Sequence, residues 1–168
     1  RKYTHIVIDC PPSLGLVTLN VICCSDYYIV PTLLDSYSYW GLKKIIERVN
    51  QLKSLKSSCK AELLGVLYSR LDTSATSQNK HWATEFRQWE LQNEKEFAKF
   101  YSNGFSSVVF KQYISNSDTI RKAETAHRPV VAYSPSNANE RKAKEICQQQ
   151  WQNLENEIDK RIEIFKSK

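Results

Sequence analysis

A short apolar run near the start of the chain, His5-Ile6-Val7-Ile8, ends abruptly in the carboxylate of Asp9. Two prolines, Pro11 and Pro12, and a glycine, Gly15, follow before the chain becomes apolar again. A run this short and this rich in β-branched residues predicts a strand buried on both faces, as in a parallel sheet. Asp9 would then lie at the carboxyl end of the strand, where open α/β sheets bind their ligands.

The loop after Asp9 allows two interpretations. Prolines fix φ and remove backbone donors, and Gly15 lets backbone approach a ligand closely. A carboxylate held on such a loop is suited to binding Mg²⁺ through water, or to orienting an attacking water beside a phosphate. The alternative is a strand, a polar end and a proline turn without chemistry. Residues 5–15 alone do not decide between the two.

Composition is that of a folded, soluble domain. The chain has 168 residues, 41% hydrophobic and 25% charged, enough to bury a core as one domain. No apolar run approaches the roughly 20 residues that a membrane-spanning helix needs. The five cysteines show no metal-binding spacing and are expected to be reduced thiols in a cytosolic protein. Because the chain has no methionine and begins directly before the first predicted strand, we expect a piece of a longer protein.

Helical and strand patterns alternate along the chain. This alternation predicts an α/β three-layer sandwich with a mainly parallel sheet, as a single domain over 1–168. The segment 72–79 is polar and predicts a loop, and 139–168 is expected to be a C-terminal helix. The further predicted strands are 26–31, 62–68, 107–110 and 129–133, and the other predicted helices are 16–24, 36–56 and 80–101.

Several motifs carry a family resemblance. Ile8-Asp9-Cys10-Pro11-Pro12-Ser13-Leu14-Gly15 resembles the D-x-P-P-x-x-G nucleotide switch of ParA partition ATPases, which are relatives of the MinD septum-positioning ATPases. The segment 25–31 resembles the family's A-D-x-V-I-V-P strand. Further likenesses follow in order at 39–42, 64–72, 114–129 and 133–136, so the resemblance covers Tyr3 to about Gln150.

The resemblance implies an ATP-dependent switch. ATP binding would drive homodimerisation, the dimer would bind DNA without sequence preference, and hydrolysis would release it in a bacterial cytoplasm, at the nucleoid. A centromere-binding ParB-like partner is implied as well. Asp9 would be the catalytic switch carboxylate, near Mg²⁺ through water. The resemblance places Pro11, Pro12 and Gly15 beside the nucleotide's phosphates, and Ser69, Arg70, Pro135 and Ser136 near its adenine.

One part of the family pattern does not occur in these 168 residues. The phosphate-binding loop, with a pattern such as G-x-x-x-x-G-K-[ST], would lie with an N-terminal strand before Arg1. We therefore expect the parent protein, and not this chain alone, to bind ATP together with Mg²⁺ and to hydrolyse the ATP. The alternative is a non-enzymatic truncated relative, or a MinD-like membrane-positioning adaptor, that only binds partners.

Charge points to a polyanionic partner. The net charge is +6, and Lys43 and Lys44 lie in a basic segment, 42–60, that is suited to contacting phosphates. In the stretch that some family members use for DNA, Thr119 replaces an arginine, while Arg121 and Lys122 remain as candidate contacts. The C-terminal helix is expected to dock on the domain or on a partner helix, without stable membrane insertion.

Overall fold

The computed structural model describes residues 3–11, 13–55, 58–72 and 74–167. The structure confirms, to within one or two residues, the strands predicted at 26–31 and 62–68 and the helices predicted at 16–24, 36–56 and 139–168. The elements follow in the order α1 (Leu16–Cys24), β1 (Tyr27–Thr32), α2 (Ser36–Leu55), β2 (Glu62–Tyr68), α3 (Thr76–Gln92), α4 (Ala98–Ser102), α5 (Asp118–Thr125) and α6 (Ala138–Lys166), with short 3₁₀ helices at Glu94–Phe97 and Val130–Ala132.

β1 and β2 form a small parallel sheet. The Glu62 amide donates to the Asp26 carbonyl at 3.0 Å, and further along both strands the Ser69 amide donates to the Thr32 carbonyl at 2.9 Å, so both strands run in the same direction. Isolated parallel bridges, Val66 to Val109 and Leu71 to Ser115, extend the pairing. The α/β class is thus confirmed, whereas the described sheet is smaller than the predicted three-layer sandwich requires.

The strand predicted for residues 5–8 is not formed. Ile6 and Val7 are 86% and 94% exposed, and residues 5–8 have no regular secondary structure. A strand is stable only when its amides and carbonyls are hydrogen-bonded to another strand. No described segment supplies that pairing here, so the apolar side chains remain on the surface.

The strand predicted for 107–110 is reduced to a single bridge because side chains take the places of a neighbouring strand. The Val108 amide donates to the buried Glu90 carboxylate at 2.7 Å. Arg161 donates to the carbonyls of Val108 and Val109 at 3.0 and 2.9 Å. Glu157, on the same helix as Arg161, accepts the Lys111 amide. Val108 and Phe110 are buried, but the backbone of the segment is bonded mainly to side chains.

Two other predictions need correction. Residues 129–133 include a 3₁₀ turn, Val130–Ala132, instead of a strand, and Lys144 donates to the Val131 and Tyr133 carbonyls at 2.9 and 2.8 Å. The helix predicted for 80–101 begins earlier, at Thr76, so the predicted loop 72–79 is too long. It is interrupted at Asn93, whose side chain bonds the Trp89 carbonyl and ends α3.

The chain divides into two compact units. The first contains residues up to Tyr28 together with Trp40–Leu63, and a small core of Ile22, Val49 and Ala61. The second contains Ile29–Tyr39 and Leu64–Lys168. Its interior is rich in aromatic rings, which include the buried Phe86, Trp89, Phe97, Phe100 and Phe110.

Candidate functional site

The predicted nucleotide switch lies in the first unit, directly before α1. Asp9 is exposed, and its carboxylate makes no hydrogen bond or ion pair with another described residue. Pro11 is exposed, while Pro12 lies outside the described residues. The turn into α1 is held locally, because the Thr18 hydroxyl donates to the Ser13 carbonyl at 2.7 Å.

Gly15 is the N-cap of α1, with φ −75° and ψ 178°. A Cβ at this position would meet only the Ser13 hydroxyl oxygen, at an ordinary 3.7 Å. Neither the backbone angles nor the described neighbours therefore require glycine here. Gly15 is exposed, so a ligand could approach its backbone at the start of the helix, where amides favour anions.

Asp9 fits Mg²⁺ only in one binding mode. The described residues contain no group of three or more His, Cys, Asp or Glu side chains that could hold a metal ion. Mg²⁺ is commonly bound by one or two carboxylates, with waters and substrate phosphates completing the shell. One exposed carboxylate suits that mode, so magnesium at Asp9 would depend on a bound nucleotide.

A cavity of about 250 Å³ lies in the second unit, following the carboxyl ends of β1 and β2. This is the edge at which parallel α/β sheets bind ligands. The cavity includes Arg70, which the sequence analysis assigned to the nucleotide, but not Ser69, Pro135 or Ser136. Its lining residues are Leu33, Leu34, Asp35, Arg70, Leu71, Asp72, Ala75, Gln78, Asn79 and Asn116.

Arg70 is the cavity cation that is available to a ligand. Its φ of +52° is in the left-handed region, and its guanidinium makes no hydrogen bond or ion pair with another described residue. The two acids of the cavity are already used locally. Asp35 accepts the Ser38 amide at 2.8 Å, and hydrogen bonds from Ser74 lower the pKa of Asp72.

A second cluster joins two motifs that the sequence analysis treated separately. The Glu140 carboxylate pairs with the Lys122 ammonium and also accepts the Ser136 amide at 2.8 Å. Asn137 caps α6 by accepting the Glu140 amide at 2.9 Å. Lys122 and the Ser136 amide lower the pKa of Glu140 from its ordinary 4.5 to about 2, and Glu140 raises the pKa of Lys122. A candidate DNA contact and a candidate nucleotide loop therefore share one carboxylate.

The other candidate DNA contacts have different surroundings. Arg121 is paired with Asp118 on the surface of α5. In α2, the Lys43 ammonium lies 4.6 Å from the centre of the Trp40 ring, and Lys44 is exposed. Both lysines belong to the first unit, whereas Arg121 and Lys122 belong to the second. The α5 cations thus have acidic partners within their own unit.

Sequence reasoning did not identify Glu140 or the buried charges Glu90 and Arg161. The capping pattern Asn137-x-x-Glu140 would have marked Glu140 as a helix-start residue. The spacing of Glu157 and Arg161, four residues apart on one helix, indicates an ion pair. Neither signal would have revealed which distant backbone groups these side chains contact.

The chain is similar to one protein family over its N-terminal third and to several known proteins over longer stretches. A family described as an AAA domain matches residues 1–61. The sporulation initiation inhibitor protein Soj of Bacillus subtilis is 29% identical over 136 residues, which cover 80% of this chain and 47% of that protein. The chromosome partitioning protein ParA of Myxococcus xanthus is 36% identical over 75 residues, covering 44% and 26%. The chromosome-partitioning ATPase Soj of Treponema pallidum is 23% identical over 147 residues, covering 88% and 51%.

The parallel α/β sheet and the AAA-domain match over residues 1–61 are both features that the chain shares with the class of P-loop ATPases. Within this class, the Soj relatives, which cover most of the chain, and the shorter ParA match support a ParA/Soj-like family. The chain spans about half the length, or less, of these relatives. None of the helices in the described residues is long and apolar enough to cross a membrane.

Proposed function

We propose that this chain belongs to a ParA-like ATPase of plasmid or chromosome partition, which dimerises with ATP and binds DNA without sequence preference. The observation that carries the proposal is the 29% identity to Soj over 136 residues. The relatives named for chromosome partition favour this hypothesis over a non-enzymatic adaptor. Because the chain spans only part of those relatives, the activity is proposed for the full-length protein, acting at the nucleoid in the cytoplasm with a ParB-like partner.

In this proposal, Asp9 acts at the nucleotide's terminal phosphate. Its exposed carboxylate would hold a Mg²⁺-bound water, and the metal would neutralise charge on the phosphates during transfer. Gly15 would bring its backbone to the phosphates as the N-cap of α1, where helix amides favour anions. Pro11 and Pro12 would restrict the switch between these two residues.

Arg70 is the adenine-side residue that the geometry supports best. It lines the cavity at the carboxyl ends of the strands and has no described anionic partner. A guanidinium can stack on an aromatic base or donate to its ring nitrogens. Ser69 holds β1 and β2 together through the Thr32 carbonyl, so its contribution would be to position Arg70. Pro135 and Ser136 would approach the nucleotide from the loop before α6.

Non-specific DNA binding is assigned to phosphate contacts from Lys43, Lys44, Arg121 and Lys122. Such contacts release counterions, so the affinity should fall steeply as salt rises. A dimer would present each basic surface twice, and the contributions would add.

ATP hydrolysis by the full-length protein is the first test. We expect magnesium-dependent hydrolysis that Asp9→Asn abolishes and that the charge-matched control Asp159→Asn, at an exposed position of α6, leaves intact. We also expect no hydrolysis by the 168-residue chain alone. Turnover by that chain, lost on Asp9→Ala, would contradict the division of labour proposed here.

Duplex DNA binding is the second test. The full-length protein with ATP should bind DNA of arbitrary sequence, and the affinity should decline by orders of magnitude between low and high salt. An affinity that does not change with salt, or no binding in the presence of ATP, would refute the DNA-binding part of the proposal.

A further inference from the structure

Glu140 holds two different segments with its two carboxylate oxygens. One oxygen pairs with the Lys122 ammonium of α5, and the other accepts the Ser136 amide at 2.8 Å. The Glu140 side chain is only 11% exposed, whereas the Lys122 side chain is 51% exposed. The carboxylate is therefore enclosed between its partners, while the lysine lies at the surface.

The first two turns of α6 hold the loop 131–136 at both ends. Asn137 caps the helix and fixes Glu140 in its first turn. One turn later, Lys144 donates to the Val131 and Tyr133 carbonyls at 2.9 and 2.8 Å. The loop is thus attached to α6 by Lys144 near its start and by Glu140 at its end, so its position depends on both side chains.

We propose that Glu140 couples the position of the loop 131–136 to the availability of the Lys122 ammonium on α5. While the Ser136 amide donates to Glu140, the carboxylate holds Lys122 and prevents it from binding a polyanion. When the amide moves away, Glu140 releases the lysine more readily. With the amide in place the carboxylate has little access to water, and removing its cation is costly. When the loop moves, water can solvate the Glu140 carboxylate. The Lys122–Glu140 ion pair then becomes an ordinary surface pair, which contributes little free energy.

The coupling is reciprocal by thermodynamic necessity. A phosphate that draws Lys122 away from Glu140 would loosen the hold on Ser136, and a ligand that displaces the loop would favour phosphate binding at Lys122. This inference rests on the proposed function for its polyanion, which is DNA. The link between Lys122 and Ser136 can be tested without DNA.

Hydrogen exchange of the Ser136 amide tests the link itself. In the unmodified chain the amide should be protected, and Glu140→Gln should speed its exchange. The decisive variant is Lys122→Gln, which leaves the Ser136 acceptor in place but should still speed exchange severalfold. Glu124→Gln is the control for Glu140→Gln, because it also removes one negative charge, at an exposed residue of α5 without a described partner. Exchange in Lys122→Gln at the rate of the unmodified chain would overturn the coupling.

DNA binding tests its consequence in the full-length protein. Glu140→Gln should tighten binding about two- to fivefold more than Glu124→Gln, the size expected for one freed surface cation. The slope of log affinity against log salt should become steeper by about 0.9, one additional phosphate contact. Equal affinities and slopes for the two variants would overturn the inference. If neither variant nor the unmodified protein binds DNA, the proposed function fails, and the exchange result alone decides the link.

Discussion

The buried arginine of α6 offers the most direct test of how this fold is held together. Arg161 is 1% exposed, and one terminal nitrogen donates to the Leu64 and Val108 carbonyls at 2.9 and 3.0 Å. The other donates to the Val109 carbonyl at 2.9 Å and to Glu157 at 3.0 Å. Replacing Arg161 with methionine keeps a long, flexible side chain but removes every one of these donors.

The cost can be worked out bond by bond. The Val108 carbonyl keeps the Val66 amide as a donor at 3.1 Å, and Glu157 keeps the Lys111 amide. The Leu64 and Val109 carbonyls lose the donors that Arg161 supplies. A buried polar group left without a partner costs about 1 to 3 kcal/mol, which gives about 2 to 6 kcal/mol for the two. Relief of the guanidinium's desolvation offsets part of this. We therefore expect Arg161→Met to lower the free energy of unfolding by about 2 to 4 kcal/mol.

Urea denaturation followed by tryptophan fluorescence measures this change. Arg141→Met is the matched control, because Arg141 lies on the same helix, is exposed and has no described partner; it should change stability by less than about 0.5 kcal/mol. If the two variants unfold at the same urea concentration with the same slope, the Arg161 bonds do not stabilise the fold and the reasoning is refuted.

Three further outcomes follow from the structure. Gly65→Ala should destabilise the fold by about 1 to 3 kcal/mol, because the added methyl group would lie 2.5 Å from a Phe110 ring carbon. Gly41→Ala is the control and should not destabilise the fold, because its methyl group would meet no atom within 4 Å. Thermal denaturation compares the two variants. Glu90→Gln should lower the free energy of unfolding in urea by about 2 to 4 kcal/mol. The fully buried Glu90 carboxylate accepts several hydrogen bonds, and a glutamine would place its NH₂ group against one or more of those donors. An unchanged urea midpoint would contradict this. The lowered pKa of Glu140 contributes stability that is present above its ordinary 4.5 and is lost as pH falls towards about 2, so acid unfolding should be less steep in Glu140→Gln than in the unmodified chain.

The elements that the sequence predicted well are those that depend on their own residues. The mainly apolar run of β2 was predicted with its observed bounds, Glu62–Tyr68, and α1 was predicted as Leu16–Cys24. The strand predictions that were wrong depend on distant side chains. The carbonyls of Val108 and Val109 are bonded by Arg161, some 50 positions away, and the 3₁₀ turn at Val130–Ala132 is held by Lys144. A short apolar run carries no information about such donors and acceptors.

The candidate site shows the same division. The switch motif predicted a carboxylate on a loop that follows a strand and precedes a helix, and Asp9 lies on a segment that precedes α1. The strand that was expected to carry it depends on pairing with another segment, which residues 5–8 cannot specify. Arg70 was assigned to a nucleotide from the family resemblance, and it lines the cavity at the sheet edge. The Lys122–Glu140 pair joins residues 18 positions apart across a loop, and no periodic pattern connects them.

Helix α6 has a role in the fold that its amphipathic pattern does not predict. Its buried stripe packs into the second unit, with the Phe165 ring 5.2 Å from that of Phe100. On the same helix, Lys144, Glu157 and Arg161 bond backbone groups that would otherwise need a neighbouring strand or turn. The apolar stripe is already packed within the second unit. If α6 left this position to bind a membrane, the backbone groups that it bonds would lose their partners. The first turn of this helix also carries Glu140, so the same docking that completes the fold sets how strongly Lys122 is held. Any partner that moves the start of α6 would therefore alter the charge presented by α5.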